Sequence, residues 1–156
     1  MTAPLRLVVR RRETAVLEGP GRNVEISIRV PTDLDVVEEA VDLVARHCLA
    51  SGVPPRAARF VMRVVLCEAL ANAIQYGNQF DASKRVDVRV EVDAAAVTLH
   101  VRDEGAGFDP TTIPDPTTSD RIDADKGRGL FLIRQLVDEV RFNDRGNAIC
   151  MILHRA

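Results

Sequence analysis

The sequence predicts an α+β fold: a two-layer α/β sandwich in which a mixed, mostly antiparallel sheet carries helices on one face. Five short segments alternate apolar and polar residues, which is the period of a half-buried strand. Three longer segments repeat apolar residues three and four positions apart, which is the period of an amphipathic helix. Two pairs of the strands are separated by only four residues, and such short connections favour antiparallel neighbours.

The first strand and the first helix follow each other closely. Apolar residues occupy every second position from Val24 to Val30, so we expect a strand with one buried face. Thr32 is the expected N-cap of the helix, because Asp35 follows three positions later and acids fill the first turn. The helix is expected to end near Gly52.

The second half of the chain predicts two strand pairs with a loop and a helix between them. The strands are expected at 86–92, 97–101, 140–143 and 148–154, and the helix at 127–137. Residues 104–126 are irregular and rich in Asp, Thr and Pro, and a loop of this length in a compact domain is usually functional or disordered. We expect this loop to be a mobile lid over the binding site.

We divide the 156 residues into a basic N-terminal tail or arm, 1–22, and one domain, 23–156. An arginine cluster and the turn sequence Glu18-Gly19-Pro20-Gly21 set the first segment apart. A frayed tail is one interpretation of it. An arm that binds a partner or adds a strand is the other.

Composition excludes several functional classes. The net charge of −2 and the aromatic content of 4% give no basis for nucleic-acid binding. The sequence has no apolar run of about 20 residues and no signal peptide, so we expect a cytoplasmic protein without membrane contact. Cys48, Cys67 and Cys150 lack the spacing of a zinc site and are expected to be buried thiols.

The most informative residues lie in the second helix, which is expected over 54–77. Glu68 and Asn72 are four positions apart, so their side chains share one face of a strongly apolar helix. A carboxylate there can accept a proton or order a water, and an amide oxygen can bind Mg²⁺. The alternative is a helix with two polar residues that face a neighbouring loop.

Two glycine-containing segments follow. Asp103 ends a strand just before Gly105 and Gly107, where its carboxylate can accept a hydrogen bond from an exocyclic amine such as that of adenine. Gly127 and Gly129 precede the last helix, and unpaired amides at a helix start form an anion site. Each glycine pair is a weak signal alone, but the three segments in this order are specific.

The set resembles the GHKL (histidine-kinase-like) ATP-binding superfamily over residues 24–156. Glu68 and Asn72 match its N box, and the two glycine segments match its two glycine boxes. The phrases Glu-Ala-x-x-Asn-Ala-x-x-Tyr-Gly, Asp-x-Gly-x-Gly-Phe-Asp and Gly-Arg-Gly-Leu-x-Leu-Ile look most like the small serine/threonine kinases that act as bacterial anti-sigma factors. The resemblance implies the Bergerat fold and its strand order.

The resemblance also implies roles for individual residues. Glu68 would be the catalytic base, and Asn72 would hold Mg²⁺ against the phosphates of ATP. Asp103 would bind the adenine amine, while Gly105 and Gly107 would let the base lie close to backbone. The phosphates would be bound at the helix start by Gly127, Arg128, Gly129 and Leu130. Arg128 can equally be a solvated helix-start residue.

One position departs from the family pattern. Relatives commonly carry Gly-Thr in the last hairpin, where the threonine helps to bind adenine through water, and this chain carries Gly146-Asn147. Asn147 can replace that contact, since an amide both donates and accepts.

The partners that the resemblance implies are a sigma factor, an anti-anti-sigma protein with a STAS domain as substrate, and a second copy of the chain. Two other functions remain open. The chain can be a nucleotide-switched adaptor without catalysis, or a histidine-kinase-like ATPase module that acts with a separate partner.

Overall fold

A computed structural model describes residues 5–13, 22–107 and 124–155. Its strands form one sheet in the order β1-β2-β3-β4-β6-β5, and every pairing among them is antiparallel. The strands are β1 (Arg6–Glu13), β2 (Arg22–Pro31), β3 (Arg85–Val92), β4 (Ala96–Arg102), β5 (Glu139–Phe142) and β6 (Ala148–His154). The predicted α+β class is confirmed, and the sheet is antiparallel across these strands rather than mixed.

The helices are α1 (Val37–Ala50), α2 (Met62–Asn72) and α3 (Ala124–Leu136). Two π-helical turns, Ala57–Val61 and Ala73–Gly77, extend α2 at its two ends, so the helical segment ends at Gly77 as predicted. Such turns are rare and occur often at functional sites. None of the described helices has the length and apolar character needed to cross a membrane.

One face of the sheet carries the core. Ile26 lies opposite Val90, Val90 opposite Leu99, and Leu99 opposite Met151, so one row of fully buried side chains crosses four strands. The period of two then places the charged residues of these strands on the other face. The helices add apolar side chains to the same cluster, among them Val44, Leu66 and Ile133. Sheet and helices therefore form the two predicted layers.

The N-terminal segment contributes a strand. Residues Arg6–Glu13 form β1 at the edge of the sheet and pair with β2 along their whole length. Leu5 and Val9 pack against the core. Of the two interpretations of 1–22, a frayed tail and an arm that adds a strand, residues Arg6–Glu13 have the conformation of the second. Residues 14–21 lie outside the described residues.

The first helix begins differently from the prediction. Asp33, rather than Thr32, caps the 3₁₀ turn before α1, and its carboxylate accepts the Asp35 N–H at 2.9 Å. Thr32 is buried instead, and its hydroxyl donates to Lys84 O at 2.6 Å. The threonine is used for a long-range contact, which a local capping pattern does not reveal.

The last helix also begins earlier than expected. Its first residue is Ala124, three positions before Gly127. Alanine has the highest helix propensity, and the acid that follows it is favourable in a first turn. The predicted lid, 104–126, falls mostly on residues outside the described part of the chain.

Candidate functional site

A cavity of about 580 Å³, which includes open space at its mouth, lies between the end of α2, strands β4 to β6 and the start of α3. Its walls are mostly apolar, with few polar groups. Five of the ten predicted site residues line it: Asn72, Asp103, Gly107, Leu130 and Asn147.

The pair on α2 faces the second turn of α3. Glu68 and Asn72 are both half-buried, and Gly129 lies against them. A Cβ added at Gly129 would lie 2.7 Å from Glu68 Oε2 and 3.3 Å from Asn72 Nδ2. A glycine at this position therefore lets α3 approach both polar groups. Asn72 lines the cavity, and Glu68 lies one turn away, outside its lining.

Asp103 is fixed in the wall of the cavity. Its side chain follows the end of β4 and is 9% exposed. Its backbone N–H donates to Asn147 O at 2.9 Å, and its Oδ1 accepts the Gly105 N–H at 2.8 Å. Gly77 lies so close that an added Cβ would overlap the carboxylate. The carboxylate is therefore held between the end of α2 and its own turn.

The two glycines after Asp103 allow the backbone of other segments of the chain to approach closely. At Gly105 the space for a side chain is occupied by Gly77 O, and at Gly107 it is occupied by Arg145 O. Gly107 also has φ +84°, which glycine adopts without strain. The loop after β4 is thus pressed against α2 on one side and against the β5–β6 turn on the other.

Asn147 lies in the cavity wall with its amide in use. It is 5% exposed, and its Nδ2 donates to Asp103 O at 3.0 Å. Its Oδ1 accepts a hydrogen bond from Asn143 Nδ2, while its backbone N–H donates to Asn143 Oδ1 at 3.0 Å. The side chain therefore braces the end of β4, a role that was not expected from its place in the hairpin.

The position at which α3 starts bears on the predicted phosphate contacts. Only the first four amides of a helix lack intrahelical acceptors, so Arg128 and Gly129 lie beyond them in a helix that begins at Ala124. The predicted phosphate contacts through their backbone amides are therefore not available in this conformation. Gly127, Gly129 and Leu130 are buried, whereas Arg128 is exposed.

Sequence reasoning missed several residues of the cavity wall, among them two aromatic residues and a glycine. Tyr76, Gly77 and Phe142 line the cavity, although none was named as a site residue. Tyr76 and Gly77 belong to the sequence phrase that matches the N box, and that match could have identified them as site residues. The sequence around Phe142 does not indicate a site, because its position in the wall depends on the pairing of β5 with β6.

The described part of the site has neither a cluster of metal ligands nor an activated thiol. No cluster of three or more His, Cys, Asp or Glu suited to a metal occurs among the residues that the structure describes. Mg²⁺ does not need one, since it commonly binds one or two side chains together with substrate phosphates. Cys67, next to Glu68, is half-buried, and burial raises the pKa of its thiol. Burial raises the pKa of Cys48 to about 12.

Comparison with known proteins identifies the family of the chain. Residues 30–153 match the family described as histidine kinase-like ATPase domain. The chain belongs to the histidine kinase-like ATPase family. This match confirms the family that the sequence motifs predicted.

A curated relative points to the narrower group. The chain is 31% identical over 97 residues to the serine-protein kinase RsbW of Bacillus subtilis (strain 168). The aligned part covers 58% of this chain and 61% of RsbW. The chain therefore spans about three fifths of the length of that relative. The activity and the partners of this chain are proposed below.

Proposed function

We propose that this chain binds Mg²⁺–ATP in the cavity and transfers the γ-phosphoryl group to a serine or threonine hydroxyl of a protein. The observation that carries the proposal is the buried Asp103 carboxylate in the cavity wall, with Asn72 in the same wall. The expected substrate is an anti-anti-sigma protein with a STAS domain. The expected second partner is a sigma factor, which would make the chain an anti-sigma factor that regulates transcription.

The adenine end of the proposed site is formed by Asp103 and the glycines around it. The carboxylate would accept a hydrogen bond from the 6-amino group, and Gly77 and Gly107, which have no side chains, line the same cavity. Tyr76 and Phe142 supply aromatic surface in the same cavity. A buried carboxylate that accepts from a base favours a base that carries the donor, because a base without it forgoes a hydrogen bond to a charged group.

The phosphate end is formed by α2 and α3. Asn72 would bind Mg²⁺ through its amide oxygen, and Gly127, Arg128, Gly129 and Leu130 would lie beside the phosphates. Bound Mg²⁺ neutralises charge on the phosphates during phosphoryl transfer. Backbone contact with Arg128 and Gly129 would require the first turn of α3 to open, since their amides lie beyond the first four of the helix.

Glu68 is the proposed general base. Its carboxylate lies one turn from Asn72 and against Gly129, and this position supports a role beside the proposed phosphate site. It would take the proton from the attacking hydroxyl, and this kind of assistance contributes about 10²–10⁴ in rate.

Two alternatives remain. Glu68 does not line the cavity, which favours a nucleotide-switched adaptor without catalysis. A histidine-kinase-like ATPase module that acts with a separate partner would use the same nucleotide site. The resemblance further implies a homodimer, and composition gives the expectation of a cytoplasmic protein that contacts neither nucleic acid nor membrane.

Phosphotransfer from labelled ATP to a candidate STAS protein tests the proposal. Glu68→Gln should lower the rate by about 10²–10⁴ while ATP affinity changes only a few-fold, because the amide keeps the size and loses the proton acceptor. Glu39→Gln, at an exposed acid of α1, is the matched control and should keep the wild-type rate.

Two results would contradict parts of this assignment. Transfer by Glu68→Gln at the wild-type rate would exclude Glu68 as the base. Tight ATP binding by the wild type without transfer to any STAS protein would favour the adaptor.

A further inference from the structure

Asn78 is a buried polar residue directly after the π-helical turn that ends at Gly77. It is 1% exposed, and it is not among the residues that line the cavity. Its backbone N–H closes the turn by donating to Ala73 O at 2.7 Å. A polar side chain this deeply buried costs free energy unless it is fully hydrogen-bonded.

The Asn78 amide joins three separate segments of the chain. Its Nδ2 donates to Thr32 Oγ1 at 3.0 Å and to Arg85 O at 3.1 Å. Its Oδ1 accepts the Glu104 N–H at 2.9 Å. Two acceptors on one side and one donor on the other fix the orientation of the amide.

The bond to Glu104 acts on the residue next to Asp103. The Asp103 carboxylate touches Gly77 on one side and accepts the Gly105 N–H on the other. Asn78 follows Gly77 in the chain and Glu104 follows Asp103, and the Asn78 Oδ1 bond joins these two residues. The contact between Asp103 and Gly77 and the hydrogen bond between Glu104 and Asn78 therefore hold the 103–105 turn against the end of α2.

We infer that Asn78 is a positioning residue that sets the Asp103 carboxylate for recognition of the adenine 6-amino group, an inference that rests on the proposed function. Asn78 does not touch the nucleotide. Without its Oδ1, the turn after Asp103 loses this hydrogen bond to the end of α2 and keeps its packing against Gly77, while the exposed Glu104 side chain ties the turn to β3 by accepting the Arg85 N–H at 3.2 Å. A hydrogen bond weakens steeply when its geometry is disturbed, so selection for the amine should fall.

Selectivity for the amine is the readout. Affinities are measured for ATP and for purine riboside triphosphate, in which hydrogen replaces the 6-amino group. Any unfolded fraction of a variant lowers both apparent affinities by the same factor, so their ratio is insensitive to a loss of stability. The wild type should prefer ATP by about ten- to a hundredfold, as expected for a hydrogen bond to a charged group.

Asn78→Ala should lower this preference by roughly tenfold, because the misplaced carboxylate no longer meets the amine at good geometry. Thr32→Val is the matched control, since it removes one partner of Asn78 and leaves the bond to Glu104. Both variants should melt at lower temperature, but only Asn78→Ala should lose selectivity. If Asn78→Ala does not fold, Asn78→Ser replaces it, because the shorter hydroxyl keeps a polar group and no longer reaches Glu104.

Each other outcome has a definite meaning. An unchanged preference in the Asn78 variant, or an equal fall in the Thr32 variant, would overturn the positioning role and leave the proposed function intact. A wild type that binds ATP without preferring it over the analogue would overturn the adenine contact of Asp103 itself, and the role of Asn78 with it.

Discussion

At the scale of single residues, Gly129 decides how closely α3 approaches Glu68 and Asn72. A methyl group there would lie 2.7 Å from Glu68 Oε2, which is the far end of a flexible side chain. The carboxylate can therefore turn away at little energetic cost. Geometry at this position should control catalysis more than stability.

Gly129→Ala should separate the two quantities. The free energy of unfolding should stay the same or rise by up to about 1 kcal/mol, because alanine is the better helix former. Phosphotransfer should fall by about tenfold or more, because the displaced carboxylate is no longer aligned with the hydroxyl. Thermal unfolding and the transfer assay measure the two effects.

A double variant serves as the control for this explanation. If Gly129→Ala acts through Glu68, adding Glu68→Gln should lower the rate no further than Glu68→Gln does alone. Independent, multiplicative losses would mean that Gly129 affects the nucleotide rather than the carboxylate.

At the scale of elements, the loop after β4 and the β5–β6 turn pack backbone against backbone. A Cβ at Gly107 would overlap Arg145 O, and Arg145 Nη2 donates to Gly105 O at 3.4 Å. The Asn143 and Asn147 side chains brace the same turn. This junction forms one wall of the cavity, so its stability and nucleotide binding should change together.

Gly107→Ala tests the junction against a matched glycine. Gly52 has a similar φ of +90°, but an added Cβ there meets nothing within 4 Å. Gly52→Ala should cost only the backbone strain, about 1 kcal/mol, whereas Gly107→Ala should cost about 1–3 kcal/mol more and weaken ATP binding. Equal losses of stability would contradict the close approach.

The sequence predicted the helices and strands more accurately than the residues at which they begin and the contacts between them. The alternation from Val24 to Val30 and the helical period around Glu68 gave correct elements, because these patterns are local. The capping role assigned to Thr32 was wrong, since its hydroxyl bonds to Lys84 O and Asn78, which lie about fifty residues away in the chain. The start of α3 was misplaced because the glycines were interpreted as preceding the helix.

For the candidate site too, residues in local motifs were predicted and residues placed by long-range contacts were not. Motif spacing identified Asp103 and Asn72, which both line the cavity. It could not identify Phe142, because strand pairing alone brings β5 to the site. Nor could it reveal that the Asn147 amide bonds to Asp103 O, since the backbone that it meets belongs to another strand.

At the scale of the whole molecule, the sheet buries its apolar face under the helices and presents charged residues on the other. Arg29 and Asp87 form an ion pair on that outer face, 3.8 Å apart and both well exposed. Exposed pairs of this kind contribute little to stability. The site lies instead on the helical side, where α2, α3 and three strands meet.

The central claim is that this cavity binds Mg²⁺–ATP, and titration calorimetry with ATP tests it most directly. The wild type should bind in the presence of Mg²⁺ and bind more weakly with EDTA. Asp103→Ala and Asn72→Ala should each weaken binding by about tenfold or more, through loss of the amine contact and of the metal ligand. Asp87→Ala, on the outer face, should bind like the wild type. Wild-type affinity in both cavity variants, or binding that EDTA does not change, would contradict the claim.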